Sequence, residues 1–130
     1  MPEHPVTTEK IVLVVDDHKL VRSMIVSLLT REGFQVLDAE TGELALEILE
    51  KRGAEIGCVL QDLSMPSMPG EDVVAAMLEL APGLPIIVMS ADDEAYGRTR
   101  LGGMSIAAYV QKPFEPDELV GNVVAALPGE

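Results

Sequence analysis

Tryptophan is absent from this chain, and aromatic residues of all kinds make up only 3% of it. A core must therefore be built from Val, Leu, Ile, Ala and Met, which a hydrophobic share of 48% supplies. A single cysteine, Cys58, excludes an internal disulfide. It lies inside an apolar run and reads as a small buried residue, not as a reactive thiol or a ligand, and a reducing cytoplasm is its natural setting. Basic residues are scarce too: 9 Lys and Arg stand against 22 Asp and Glu, for a net charge of −13. That balance argues against direct nucleic-acid binding, which needs Lys and Arg to replace the counterions of phosphates, and against anionic membrane surfaces. No apolar run approaches the roughly 18 residues of a membrane span. "MPEHPVTTEK" lacks the basic start and apolar centre of a signal peptide. What remains is an acidic chain whose charge serves either solubility or a cation site, and position has to decide between them.

The 130 residues fit one domain. Residues 1–9 read as a flexible arm and 10–130 as a single domain. "KIVLVV" (10–15) is a β-branched apolar run that stops at Asp16-Asp17, the mark of a buried strand. The stretch from Lys19 carries Val21, Met24, Ile25, Leu28 and Leu29 at helical spacing, and Gly33 is a plausible stop. A second strand is predicted over 34–39. Thr41 then caps a helix whose stripe is Leu44, Ala45, Ile48 and Leu49. "IGCVLQ" (56–61) is a third strand, Glu71 to Leu80 a helix, and 84–90 a fourth strand. "ADDEAYGRTRLGG" is a poor helix, interrupted by Gly97 and thin in apolar residues. A fifth strand over 107–112 leads to a last helix with Pro116 in its first turn.

Strand and helix thus alternate five times. Apolar strands between amphipathic helices imply a parallel sheet covered on both faces. The expected fold is a doubly wound (βα)5 flavodoxin-like α/β sandwich with a five-stranded parallel sheet in the order 2-1-3-4-5. Ligands of such sheets sit beyond the carboxyl ends of the strands, at the switch point between strands one and three.

The polar residues gather at that end. Strand one ends in Asp16-Asp17, strand three in Asp62, strand four in Ser90 and strand five in Lys112. Each has a bland explanation alone: a strand-end cap, a turn residue, a helix cap, a surface lysine. Four chance placements at four strand ends are much less likely than one site. Three close carboxylates repel unless a positive partner compensates them. A hard divalent cation such as magnesium does so with oxygen ligands. With an ammonium and a hydroxyl beside a nucleophilic carboxylate, the set is equipped for phosphoryl transfer.

These residues resemble the CheY-like receiver domains of bacterial two-component response regulators. "VLVVDDHKLVR", "VLQDLSMPSMPG", "PIIVMSA" and "YVQKPF" are similar to that family's motifs, in its order and at its spacing, and the likeness covers residues 10–127. "GGMSIAAYVQKPF" looks most like receivers at the carboxyl end of hybrid sensor kinases, whereas "DDHKLVR" is similar to regulators that carry a helix-turn-helix. The chain departs from the family where a Gly-Ala pair often precedes the fifth strand: here that place is Ser105-Ile106.

The resemblance implies a role for each residue. Asp62 is the phosphoacceptor, taking a phosphoryl group from a phosphohistidine. Asp17, Asp62 and the backbone carbonyl of Ser64 are the ligands of Mg2+ or Mn2+, and Asp16 acts largely through a water. Ser90 is the switch hydroxyl, Lys112 pairs with a phosphoryl oxygen, and Tyr109 is the aromatic whose inward rotation accompanies activation. The bond before Pro113 is similar to the family's cis peptide. Ser64 and Asp92 tune the lifetime of the acyl phosphate. Val21, Met24, Pro113 and Phe114 are candidates for docking the phosphodonor, while His18 reads as exposed and passive.

The implied partners are a histidine kinase or histidine phosphotransfer protein as donor, and a downstream protein at the face of the fourth helix, fifth strand and fifth helix. No direct nucleic-acid or membrane contact is expected. The protein would be a monomer or a weak activation-dependent dimer in the cytoplasm. It would be a signalling domain, not an enzyme with an external substrate, catalysing only its own phosphorylation and slow dephosphorylation. Three other readings compete, one of them a flavodoxin-like electron carrier, which needs a phosphate-binding loop after strand one, where the acid pair would repel the phosphate. A haloacid-dehalogenase-type phosphatase would carry D-x-D after strand one, where this chain has "DDH". A receiver that only docks partners would show no magnesium-dependent phosphorylation.

Overall fold

A computed structural model describes residues 10–66 and 68–127. The arm expected over 1–9 lies outside the described residues, as do 128–130. Strands β1 (Ile11–Val15), β2 (Gln35–Ala39), β3 (Ile56–Asp62), β4 (Ile86–Ser90) and β5 (Ala108–Gln111) alternate with helices α1 (Lys19–Arg31), α2 (Gly42–Arg52), α3 (Gly70–Leu80), α4 (Glu94–Leu101) and α5 (Pro116–Ala126). All four strand pairings are parallel, and the sheet order is β2-β1-β3-β4-β5. This is the doubly wound sandwich expected from the alternation. β1, β3 and β4 are buried along their whole length because neighbours flank them and helices cover both faces. β2 is an edge strand and exposes Gln35 and Asp38.

Two apolar clusters fill the space between sheet and helices. Ile25 and Leu29 of α1 and Leu119, Val120 and Val123 of α5 pack on Val14, Leu60 and Met89. On the other face α2, α3 and α4 bring Ala45, Val73, Met77 and Leu101 onto Val15, Val59 and Val88. Burying such side chains is worth about 1.5–3 kcal/mol each, and this supplies the main drive for folding. Cys58 lies wholly inside the first cluster, and burial pushes its thiol up to about 12. Among the described residues no helix is long and apolar enough to cross a membrane.

Several boundaries move. β3 runs on through Asp62, and the first and fourth strands start at Ile11 and Ile86 rather than at 10 and 84. A 3-10 turn at Gly53–Glu55, not foreseen in the sequence, joins α2 to β3. The Thr41 cap holds, its hydroxyl accepting from the Leu44 amide at 3.0 Å. Leu44 itself, however, faces solvent, and Leu46 packs on the core in its stead. The buried arc of α1 is narrower than its apolar content: Met24 of the stripe is 60% exposed, and Leu20 beside it 76%.

The weak segment 91–103 forms a true helix, held by its ends. The Asp93 carboxylate accepts from the Tyr96 amide at 2.9 Å, and Gly102 closes α4 with a left-handed φ of 60°. Arg98 pairs with Glu94 one turn earlier at 2.6 Å. Only Gly97 and Leu101 of α4 are buried.

Candidate functional site

The end of β1 delivers Asp16 and Asp17, β3 ends in Asp62, β4 in Ser90, and Lys112 follows β5. Parallel strands put all of these at one edge of the sheet. Asp16, Asp62 and Ser90 are buried, while Asp17 is exposed. Lys112 Nζ lies 3.2 Å from Asp16 Oδ2 and 3.3 Å from Asp62 Oδ1. The peptide bond between Lys112 and Pro113 is cis.

Asp16, Asp17 and Asp62 each offer one carboxylate oxygen, and these oxygens lie within 4.8 Å of one another. Three oxygen donors of that charge, one still open to solvent, fit a hard divalent cation that keeps some of its waters. Asp16 is held from several sides. Its Oδ1 accepts from the His18 amide at 2.9 Å, and its backbone carbonyl accepts from Arg22 at 2.8 Å. His18 is exposed as expected but not passive: its Nδ1 accepts from the Val21 amide at 3.3 Å and caps α1. Arg22 also reaches Asp38 on β2 at 2.8 Å.

Burial raises the Asp62 carboxyl from its ordinary value to about 6. Lys112 opposes that rise, Asp16 adds to it, and the Ser64 amide, 3.3 Å from Asp62 Oδ1, works with Lys112. The geometry thus holds a carboxylate that Lys112 compensates only in part, so that a further cation would lower the cost of its charge.

Ser90 Oγ accepts from the Asp92 amide at 3.0 Å, so it orders the β4–α4 loop and does not cap α4. Tyr109 is buried, and its hydroxyl donates to the Asp92 carbonyl at 2.9 Å. Gly97 makes that position possible, because a Cβ there would overlap the Tyr109 ring and hydroxyl. The glycine that reads as a helix interruption is the seat of the tyrosine. Val21, Met24, Ala91, Pro113 and Phe114 join Lys112 around a groove of about 400 Å3 that opens beside the acid cluster.

Two residues here escape sequence reading. Arg100 of α4 pairs with Glu71 of α3 at 2.6 Å and with Asp92 at 3.1 Å, and donates to the Leu63 carbonyl at 3.4 Å. Its hydrogen bond holds the Glu71 carboxyl below the usual range. Gln61, beside the candidate acceptor, is wholly buried, and its Nε2 donates to the Asp62 carbonyl at 2.8 Å. Arg100 lies in a segment thin in apolar pattern, and Gln61 inside an apolar run. Only the folded contacts reveal them.

Comparison with known proteins agrees with this geometry. The response regulator receiver domain family matches residues 12–124. The transcriptional regulatory protein SrrA of Staphylococcus aureus is 33% identical over 116 residues, covering 89% of this chain and 47% of the relative. The chain thus spans about half the length of that curated relative. Among solved structures, the response regulator TrrA of Thermotoga maritima, in complex with Mg(2+)-BeF, is 30% identical with a TM-score of 0.82, covering 91% of this chain and 99% of that one. The chemotaxis protein CheY4 of Vibrio cholerae is 25% identical with a TM-score of 0.83, covering 92% and 100%.

Proposed function

On the premise that the chain belongs to the response regulator receiver family, and so is a phosphoacceptor domain of two-component signalling, we propose that Asp62 is the acceptor and that a histidine kinase or histidine phosphotransfer protein is the donor. The observation that carries this reading is Lys112 Nζ placed between Asp16 and Asp62, at the edge of a three-carboxylate oxygen cluster. The TrrA structure, described with Mg(2+)-BeF, supports it by likeness.

In the proposed step an Asp62 oxygen attacks phosphorus. The P–N bond to the donor imidazole breaks, its electron pair stays on that nitrogen, and an aspartyl acyl phosphate forms. Asp16, Asp17, Asp62 and the Ser64 carbonyl would hold Mg2+ or Mn2+. The ion supplies neutralisation of the phosphoryl oxygens. Lys112 contributes a second positive charge at the same oxygens. Ser90 gives up the Asp92 amide and turns its hydroxyl to the new group. Ser64 and Asp92, beside the acceptor and the switch, set how readily water reaches the acyl phosphate.

The consequence spreads through one short path. Ser90 and Tyr109 grip the same residue, Asp92, by its amide and its carbonyl. A shift of the β4–α4 loop therefore moves both, and with them the face of α4, β5 and α5 that a downstream protein would meet. The groove beside Val21, Met24, Pro113 and Phe114 offers the donor protein an apolar contact next to the acceptor. We place this activity in the cytoplasm, in a domain that catalyses only its own modification and dephosphorylation, as a monomer or an activation-dependent dimer.

The test is an intact-mass assay with a small acyl-phosphate donor, with and without magnesium, on the wild type and Asp62→Asn. One added phosphoryl group that needs magnesium and vanishes in the variant is the expected result. A wild type that binds magnesium but gains no mass moves the reading to a receiver that docks without being phosphorylated.

A further inference from the structure

Within the apolar layer of the sheet, one register row runs Ala39, Val15, Gln61, Val88, Tyr109. Register partners in a parallel sheet face the same side. The row therefore lies against α2, α3 and α4, opposite to the side Asp62 takes. Gln61 is the polar exception in this row, and its Oε1 is the one buried side-chain polar atom without a hydrogen bond among the described residues. Leu or Met would fill that place without an orphaned oxygen.

The amide nitrogen explains why a polar group sits there. Its two hydrogens have two partners: the Asp62 carbonyl at 2.8 Å and Met65 Sδ at 3.6 Å. Turning the amide over would aim Oε1 at two acceptors, so the orphaned oxygen is the consequence of where the nitrogen is needed. Both partners bracket the turn 62–65 at which the chain leaves the sheet. That turn carries the Asp62 carboxylate and Ser64, whose amide reaches back to Asp62 Oδ1.

We infer that Gln61 is a positioning residue of the phosphoacceptor site: by bracing the Asp62 carbonyl against Met65 from behind the sheet, it sets the aim of the oxygens that receive the cation. The inference rests on the reading of Asp62 and Ser64 as metal ligands. Groups that orient ligands from behind commonly matter about 10-fold or more to metal affinity.

Gln61→Met tests it. Methionine keeps length and flexibility, has no N–H, and leaves no orphaned oxygen. Three quantities are compared with the wild type: magnesium affinity by calorimetric titration, thermal midpoint without metal, and amide exchange at Leu63, Ser64 and Met65. The expected result is a thermal midpoint no lower than that of the wild type, magnesium binding weakened about 10-fold, and faster exchange confined to the turn. A variant that binds magnesium as tightly as the wild type, whatever its midpoint, overturns the inference and leaves Gln61 as core filling. A wild type that takes up no magnesium overturns instead the metal reading beneath it.

Discussion

Lys112 Nζ stands 3.2 Å from Asp16 and 3.3 Å from Asp62, so one ammonium serves two carboxylates that are almost entirely withdrawn from water. Removing it leaves both charges buried together. Lys112→Met should lower metal-free stability by about 2–3 kcal/mol, short of the largest values for broken buried pairs because the lysine is itself partly exposed. Magnesium should restore much of that loss, since the ion takes over the compensation. Urea unfolding with and without magnesium checks both statements, and a variant that magnesium leaves unstabilised speaks against the shared-charge account.

The raised Asp62 carboxyl, at about 6, fixes the sign of a pH effect. Between about pH 4 and 6 the unfolded chain gives up this proton while the folded protein keeps it. This group therefore costs stability as pH rises through that window, and the cost is constant above it. Asp62→Asn removes the cost. Without metal the variant should be more stable than the wild type at pH 7, by roughly 3 kcal/mol, and close to it near pH 4. Paired denaturation curves across that range decide; parallel pH profiles would show that Asp62 ionises without hindrance.

Gly97 and Tyr109 make a pair of the opposite kind, a void in one element shaped to a ring in another. Gly97→Ala should drive Tyr109 out of its buried position and cost about 1–3 kcal/mol, as overpacking does. With no tryptophan in the chain, tyrosine emission can be read directly, and Tyr96→Phe removes the other contributor. The prediction is greater quencher access in the Gly97→Ala, Tyr96→Phe protein than in Tyr96→Phe alone. Unchanged access would mean that α4 shifts and the tyrosine stays.

Arg100 ties α4 to α3 and to the loop that holds Ser90. Arg100→Met keeps the stem and removes the fork. Partly exposed pairs of this kind are worth about 1 kcal/mol together. The loss should appear locally, as faster amide exchange in α4 and in the β4–α4 loop with β1 and β3 unaffected. Uniform acceleration over the whole sheet would contradict that local role.

Much of the fold is legible because its signals are local. Apolar runs closed by acids mark β1 and β3, and Thr41 and Pro116 mark helix starts. Depth is less legible than face. The spacing of α1 finds its inner edge, Ile25 and Leu29, but Leu20 and Met24 share the periodic pattern and lie outside. α4 reads as a poor helix for a related reason. Caps and ion pairs hold it, and those forces leave no apolar stripe to read. The acid cluster was visible because each strand delivers its polar residue at the same end. Gln61 and Arg100 were not, since their partners are a neighbour's carbonyl and side chains as far as 29 positions away.

The way α4 is fastened has a consequence for how such a domain can change its associations. Its hold on the protein resides in the Asp93 and Gly102 ends, the Arg100 fork and two buried residues. The side chains of Ala95 and Tyr96 carry none of that load and stand open to solvent. New side chains at those two places would alter what the helix presents while the sheet, the acid cluster and the lysine stay as they are. What α4 presents to solvent and what the acid cluster holds are thus separately editable within one small domain.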